Sequence, residues 1–285
     1  AANNFGIVAV TSAGTATLVD VGAIDLGATT VTTLNLTAGG AISDSGTIIA
    51  SGTTTIVAGA NNAVLDDAAN NFGIVAVTSA GTATLVDVGA IDLGASGVTT
   101  LNVTAGGNIS DSGTIVASGT TTIVAGANNV VLDEAANNFG IVAITSGAIV
   151  TLVDIDSIDL GASSVSSTYA VTAGGSITDS GALAITNSAT FTVANGQDIT
   201  LNNSNTFSNP VSFVASAGTI ANVTIVDSTL LDLGALTLTG NLSVTAGGNI
   251  SDSGTLVVPG TTTLVAGTNT VILDEVANNF GTVAV

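Results

Sequence analysis

Carboxylates are the side chains of this sequence on which acid–base or metal chemistry would have to rest. The 285 residues include 20 Asp plus Glu, a single Tyr, and no Lys, Arg, His or Cys. This composition excludes histidine catalysis, Schiff-base lysines, cysteine nucleophiles and Cys/His metal sites. What remains is chemistry by carboxylate pairs, as in glycoside hydrolysis, or the binding of a hard cation.

Most of the Asp residues belong to three series, each with one member in every copy of a repeat. The series are Asp20, Asp87, Asp154 and Asp227; Asp25, Asp92, Asp159 and Asp232; and Asp44, Asp111, Asp179 and Asp252. A catalytic pair needs one environment that differs from the others, whereas these positions are equivalent. We therefore expect the carboxylates to point outward from strands or to close Asp-Ser-Gly turns. The sequence predicts no enzyme activity, no catalytic residue and no cofactor-binding residue.

Calcium is the cation that such a chain would attract, because calcium prefers six to eight oxygen ligands and the formal net charge is −20. The first positions to consider are the turn carboxylates Asp44, Asp111, Asp179 and Asp252. The glycine-rich nonapeptide of calcium-binding β-rolls is not present in tandem, and adjacent acids such as Asp66 and Asp67 would point to opposite sides of a strand. The sequence thus predicts non-specific screening by Ca²⁺ and no metal site.

The lack of cationic residues also limits the partners. Nucleic-acid binding is not expected, because it depends on Lys and Arg that neutralise phosphates. No apolar run approaches the roughly 18 residues of a membrane helix, so membrane insertion is not expected either. We expect the chain to be an internal segment of a longer protein, because it has no initiator Met and no signal peptide.

A long internal repeat decides the architecture. The string NNFG begins at Asn3, Asn70, Asn137 and Asn278, and a weakened copy surrounds Phe207. The repeats are 1–67, 68–134, 135–202, 203–275 and a partial copy at 276–285, which we predict to form one continuous domain over 1–285. The extra residues of the fourth copy fall near Asn209-Pro210 and around 219–222, where we expect corners between strands.

A shorter period inside the repeat predicts the fold. Aligning Thr11, Thr37, Val57 and Thr78 gives steps of 26, 20 and 21 residues, each holding short runs that alternate apolar and polar residues as strands do. Gly and Asn pairs supply the corners. The sequence therefore predicts an all-β, right-handed parallel β-helix (a β-solenoid) with about three coils per 67-residue repeat and about thirteen coils in all.

Two other all-β folds fit less well. A transmembrane barrel needs aromatic girdles, and the chain has seven Phe and one Tyr. A β-sandwich array needs units near 100 residues with hairpin turns, and hairpin dipeptides are few here. Both are disfavoured relative to the solenoid.

Threonine and aromatic residues give three further expectations. Thr triplets at 53–55, 120–122 and 261–263 could suggest an ice-binding face, but the predicted coil steps place them on one coil in three, which argues against it. The Phe residues after each Asn-Asn should fill the core at corners. Tyr169 takes the inward position of Leu34 and Leu101, so we expect a buried ring with its hydroxyl near a strand end.

The repeat motifs also resemble a known family. The blocks LTAGGAISDSG at 36–46, NVTAGGNISDSG at 102–113 and SVTAGGNISDSG at 243–254, with the connector LVDVGAIDLGA at 18–28, are similar to the repeat region of filamentous haemagglutinin-like exoproteins, large surface adhesins exported by two-partner secretion in Gram-negative bacteria. The likeness covers the whole chain. It implies a right-handed parallel β-helix, an extracellular or cell-surface location, and an adhesive or spacer role without catalytic residues.

Taken together, the residues and the resemblance lead us to expect a non-enzymatic rigid shaft of a secreted or cell-surface bacterial adhesin. Its partners would be a host cell, a neighbouring bacterium or the extracellular matrix. The alternative is a self-assembling extracellular fibre, sheath or surface-layer subunit, in which copies associate end to end or laterally through open strand edges.

Overall fold

The computed structural model describes residues 3–285, which form β-strands and turns and contain no helix. No helix capable of spanning a membrane is found in this part of the chain. The chain divides into two compact units, residues 1–141 and 142–285, and each is described by itself. The boundary falls within strand β14 (Asn138–Ser146).

Unit 1 consists of short strands joined by tight corners. Before β14 they are β1 (Ile7–Val8), β2 (Ala13–Asp20), β3 (Ile24–Leu26), β4 (Thr29–Ala38), β5 (Ile42–Asp44), β6 (Ile48–Val57), β7 (Ala63–Leu65), β8 (Asn71–Asp87), β9 (Ile91–Leu93), β10 (Ser96–Ala105), β11 (Ile109–Asp111), β12 (Ile115–Val124) and β13 (Val130–Leu132).

Unit 2 is built in the same way. After β14 its strands are β15 (Val150–Asp154), β16 (Ile158–Leu160), β17 (Ser163–Val165), β18 (Tyr169–Ala173), β19 (Ile177–Asp179), β20 (Leu183–Ile185), β21 (Ala189–Val193), β22 (Ile199–Phe207), β23 (Val211–Ala215), β24 (Val223–Asp227), β25 (Leu231–Leu233), β26 (Leu236–Thr237), β27 (Leu242–Ala246), β28 (Ile250–Asp252), β29 (Leu256–Val265), β30 (Val271–Ile272) and β31 (Asn279–Ala284).

The strands pair in parallel with strands one turn earlier and one turn later, which confirms the predicted parallel β-solenoid. In unit 1, β4 pairs with β2 and β6. In unit 2, β21 pairs with β18 and β23. The chain makes about 14 turns, and each 67-residue repeat covers about three of them. The right-handed sense of the winding stays a prediction.

The repeat is slightly longer than three turns, so its copies do not stack in register. In unit 1, Leu34 lies over Ala16, Thr54 over Leu34, and Val75 over Thr54, at steps of 18, 20 and 21 residues. Ala83, which follows Ala16 by one repeat, lies eight residues beyond Val75 and stacks on β7 instead. Each copy of the repeat is therefore advanced by about two fifths of a turn around the solenoid.

This offset corrects one part of the sequence alignment. Val57 does lie over Thr37, and Ser79, next to the predicted Thr78, lies over Val57. Thr37 itself stacks on Val19 and not on Thr11. The 26-residue step was wrong because it assumed that residues one repeat apart share a column.

The interior is a file of Val, Ile and Leu side chains with polar residues outside, as the alternating pattern predicts. Ile24, Leu36 and Ile56 are at most 1% exposed. The corner phenylalanines Phe72 and Phe139 are also buried, as expected. Phe5, in the first described turn, differs at 37% exposure.

Tyr169 is fully buried at the first position of β18, which confirms the expected inward ring. The position of its hydroxyl near a strand end stays a prediction. Its ring lies edge-on to Phe191, with the centroids 6.1 Å apart. The hydroxyl has no hydrogen-bond partner. Burial raises the pKa of Tyr169, and the nearby Ser163 hydroxyl lowers it by less.

The glycines of the TAGG motif are required by the stacking of successive corners. Gly106 donates its N–H to Asp87 O at 2.9 Å, which places its Cα directly over the corner at Val88. A Cβ on Gly106 would overlap Val88 O. The TAGG glycines are therefore needed for one corner to lie directly over the next.

We predict that Gly106→Ala destabilises the fold by about 1–3 kcal/mol, the usual cost of forcing atoms into a packed site. The control is Gly89→Ala, because a Cβ at Gly89 meets nothing closer than Asp87 Oδ1 at 3.5 Å. Denaturant unfolding followed by circular dichroism measures both. Equal midpoints for the two variants would contradict the close approach at Gly106.

Candidate functional site

The carboxylates of the Asp-Ser-Gly turns are bound by the next turn of the chain. Asp111 Oδ1 accepts a hydrogen bond from Asp133 N at 2.9 Å, and Oδ2 accepts one from Asn137 Nδ2 at 2.6 Å and one from Glu134 N at 3.4 Å. Asn137 is fully buried, and its Oδ1 accepts Ile115 N at 2.7 Å. One side-chain pair thus ties together backbone from three places in the winding.

The same Asp–Asn bridge recurs in every copy of the repeat. Asp and Asn are 26 residues apart each time, and the Asp Oδ2 to Asn Nδ2 distances are 2.6–2.8 Å. The pairs are Asp44 with Asn70, Asp111 with Asn137, Asp179 with Asn205, and Asp252 with Asn278.

The Asn partners were missed in the sequence, although a signal was present. Their separation from the Asp residues stays at 26 while the spacing of the Asp residues themselves varies. A separation that is held constant in this way is expected when two residues touch across one turn.

This geometry bears on the four calcium candidates. Asp44, Asp111, Asp179 and Asp252 each aim their oxygens at N–H donors, which occupy the lone pairs that a cation would need. Within residues 3–285, no group of three or more Asp, Glu, His or Cys side chains could hold a metal ion. The structure does not bring the four carboxylates together, because each lies in its own turn.

The series that begins at Asp20 is buried, which corrects the expectation that it points outward. Asp20, Asp87, Asp154 and Asp227 are 1–3% exposed. Asp87 closes the end of β8: its Oδ1 accepts Gly89 N at 2.6 Å and its Oδ2 accepts Phe72 N at 2.5 Å. These residues turn inward because their oxygens satisfy N–H groups of a corner and of the turn below.

The Asp25 series points outward from three-residue strands, as expected. Asp25 and Asp92 lie between two buried aliphatic residues of β3 and β9. One oxygen of each, Oδ1, has little contact with solvent and no hydrogen-bond partner. The strand partners of Asp25 are Ile7 and Ser43, and those of Asp92 are Ile74 and Ser110. No second carboxylate therefore faces either residue across the ladder to form an acid–base pair.

Burial dominates the electrostatics of these networks. It raises the pKa of Asp87, and the N–H donors of Phe72 and Gly89 lower it by less. Burial also raises the pKa of Asp111, the charge on Asp133 adds to the rise, and the hydrogen bonds from Asn137 and the backbone oppose it. With no Lys, Arg or His in the sequence, N–H groups stabilise these carboxylates, joined at Asp227 by the hydroxyl of Thr229.

A family model for repeats of unknown function, DUF5649, matches residues 13–79, 80–146, 147–214 and 220–285. The chain belongs to the DUF5649 repeat family. No curated protein and no solved structure matches it. The first three DUF5649 matches begin twelve residues after the repeats found in the sequence, at 13, 80 and 147, and the fourth begins 17 residues after, at 220.

The gap between the third and fourth DUF5649 matches, residues 215–219, adjoins one of the two expected insertions, the one around 219–222. Residues 216–222 connect β23 to β24, and residues 208–210 connect β22 to β23. Both segments therefore lie at corners, as the sequence predicted. An insertion is tolerated there because it leaves the strand ladders intact.

The third DUF5649 copy carries a natural variation of the Asp–Asn bridge. Asn202 N and Asn203 N donate to Asp179, where the second copy uses Asp133 and Glu134. The bridge thus needs the backbone N–H groups and not the acidic side chains. The charge on Asp133 raises the pKa of the half-buried Asp111 carboxyl.

We predict that Asn205→Ala destabilises the protein by about 2–4 kcal/mol, because it leaves Leu183 N and Asp179 Oδ2 without their partner. Asn202→Ala is the matched control on the same strand, since Asn202 is exposed and uses only its backbone N–H. Thermal unfolding by circular dichroism should separate the two variants. A control as unstable as Asn205→Ala would show that the side-chain bridge is not the cause.

The raised pKa of Asp111 predicts the sign of a pH effect. The folded protein binds this proton more readily than the unfolded chain, whose value is near 3.8. The stabilisation is complete below that value and is lost as the pH rises through the folded-state pKa. We expect the contribution of Asp111 to the free energy of unfolding to fall as the pH rises above about 3.8.

Asp133→Asn should reduce this fall, because it removes the charge that helps to raise the pKa of Asp111. Asp25→Asn, which removes one charge elsewhere in unit 1, is the control. Urea midpoints measured along a pH series test both variants. A pH dependence that Asp133→Asn leaves unchanged would contradict the effect assigned to Asp133 on the pKa of Asp111.

Proposed function

We propose that the chain is a rigid, non-enzymatic shaft of a secreted or cell-surface bacterial adhesin, which mediates attachment or holds a binding region at a distance. The observation that carries the proposal is the use of the polar repeat motifs for internal contacts. The Asp-Ser-Gly and Asn-Asn motifs bridge successive turns, and the TAGG glycines allow the corners to stack. The repeated residues thus maintain the winding itself.

The resemblance of the TAGG and SDSG blocks to filamentous haemagglutinin-like exoproteins supports the same proposal. It suggests an extracellular or cell-surface location in a Gram-negative bacterium and partners such as a host cell, a neighbouring bacterium or the matrix. A chain without Lys or Arg also offers trypsin-like proteases no cleavage site. That property suits a protein exposed outside the cell.

The charge of the chain favours separate shafts over a self-assembled fibre. With a formal net charge of −20, copies repel one another at low ionic strength, and salt screens this over about 10 Å at 0.1 M. A fibre, sheath or surface-layer subunit remains the second proposal, because parallel solenoids offer strand edges for stacking. The two proposals differ in what happens at low salt.

Small-angle X-ray scattering of the full chain tests the shaft. We expect separate rods about 67 Å long at low salt, from about 14 turns at roughly 4.8 Å each, and lateral bundling when divalent ions or high salt are added. Fibres that grow with protein concentration at low salt would favour the second proposal. Flexible or compact particles would overturn both, and Asn205→Ala provides the unstable control.

Attachment is measured separately with beads coated with the full chain and offered to epithelial and bacterial cells. Adhesion above that of albumin-coated beads would support a binding shaft. If the beads do not adhere but the chain forms rods in solution, only the spacer role is supported.

A further inference from the structure

One outer face of unit 2 carries an unbroken file of hydroxyl side chains on five consecutive turns. Their register is direct: each residue is the strand partner of the next. The file is Thr178, Thr200, Thr224, Ser243 and Thr263. Neighbouring members are about 4.8 Å apart, the spacing of paired strands. We propose that this face binds ice.

The hydroxyls of the file are free to bond outward. Each lies between two buried residues of its strand, as Thr224 lies between Val223 and Ile225, so its side chain projects from the sheet. None of the five hydroxyls makes a hydrogen bond within the protein, whereas Asn102 on unit 1 donates to Thr84. Every member of the file can therefore use its full bonding capacity toward a surface laid on it.

The backbone beneath the file is held in register by a second row of side chains. Asn222 N donates to Asp198 Oδ1, Asn241 N to Asn222 Oδ1, and Thr261 N to Asn241 Oδ1, at 2.8–3.0 Å. Each side chain thus fixes the backbone two residues before the next member of the file. The hydroxyls above them keep a regular spacing without having to be ordered on binding, which lowers the entropic cost of association.

Charge and composition favour a neutral, periodic ligand. In a chain of net charge −20, the five residues of the file and its flanking row contain a single ionisable side chain, Asp198. Asp159, the strand partner of Thr178 on the preceding turn, marks the end of the file. Threonine adds a methyl group beside each hydroxyl, so contact also removes apolar surface from water. Ice is neutral, rigid and hydrogen-bonded, and it has an oxygen–oxygen repeat close to the strand spacing.

Other occupants of the face are less well matched. A second copy of the chain would bury about 400 Å² on each side, from five turns and three outward residues per strand, against roughly 800 Å² for a stable complex. A soluble sugar chain would exchange water hydrogen bonds for protein ones at little net gain, and the file carries no aromatic side chain to stack against.

The file does not consist of the Thr triplets, of which only Thr263 belongs to it. The Thr triplets were expected on one coil in three, which spoke against an ice-binding face. Because the repeat is out of register with the turn, hydroxyl residues from different motifs fall into the same column of unit 2. The corresponding column of unit 1 is interrupted, since Val64 lies between Ser43 and Thr84.

Thermal hysteresis and ice-affinity partitioning of the full chain test the proposal. We expect faceted ice crystals, a measurable hysteresis gap and enrichment of the protein in the ice fraction. The variant Thr200→Tyr with Thr224→Tyr should lose the gap and the enrichment, because two rings raise the surface above the file. Aromatic residues fit strands well, so the fold should be kept, and circular dichroism checks it.

The matched control is Thr172→Tyr with Thr192→Tyr, which are strand partners on another face of unit 2. It should keep full hysteresis. A wild-type chain without hysteresis or ice enrichment overturns the proposal, as does an equal effect of the two folded double variants. Binding to insoluble cellulose or chitin in place of ice would assign the face to a neutral polymer, and a dimer by sedimentation would assign it to a second copy.

Discussion

The structure depends on hydrogen bonds between buried carboxylates and the backbone N–H groups of adjacent turns. A chain without a single Lys, Arg or His cannot pair its carboxylates with cations, and a buried charge without partners is costly. In this protein the N–H groups left at strand ends and the amides of buried Asn residues take the place of the missing cations. Each network satisfies polar groups of two turns at once, which makes it the connection between one coil and the next.

This constraint explains why the polar motifs are repeated so faithfully. Asp111, Asn137 and Gly106 each contact a neighbouring turn, so a change in one turn disturbs another. A binding site would require residues that differ from copy to copy, as at 202–203. The motifs that look most distinctive in the sequence are therefore those that maintain the winding, and an adhesive contact would fall to outward residues between them.

Sequence patterns predicted the fold well because period-two alternation and corner residues act locally. Inward positions such as Leu34 and Tyr169 followed directly from them. The partners of the carboxylates could not be predicted in this way, since Asp87 meets Phe72 only after the chain has completed a turn. The outward direction predicted for Asp87 was wrong for the same reason, since the side chain is buried. The hydroxyl file of unit 2 likewise depends on a stacking register that the alignment of copies misplaced.

The mismatch between repeat and turn has a consequence for how such arrays change. Repeat arrays grow and shrink by whole copies. In unit 1 one copy advances the winding by three turns and a fraction, so the gain or loss of a single copy would both change the length and rotate everything beyond it. A change in copy number would therefore change the direction in which a group at the far end of the array points, without the substitution of any residue.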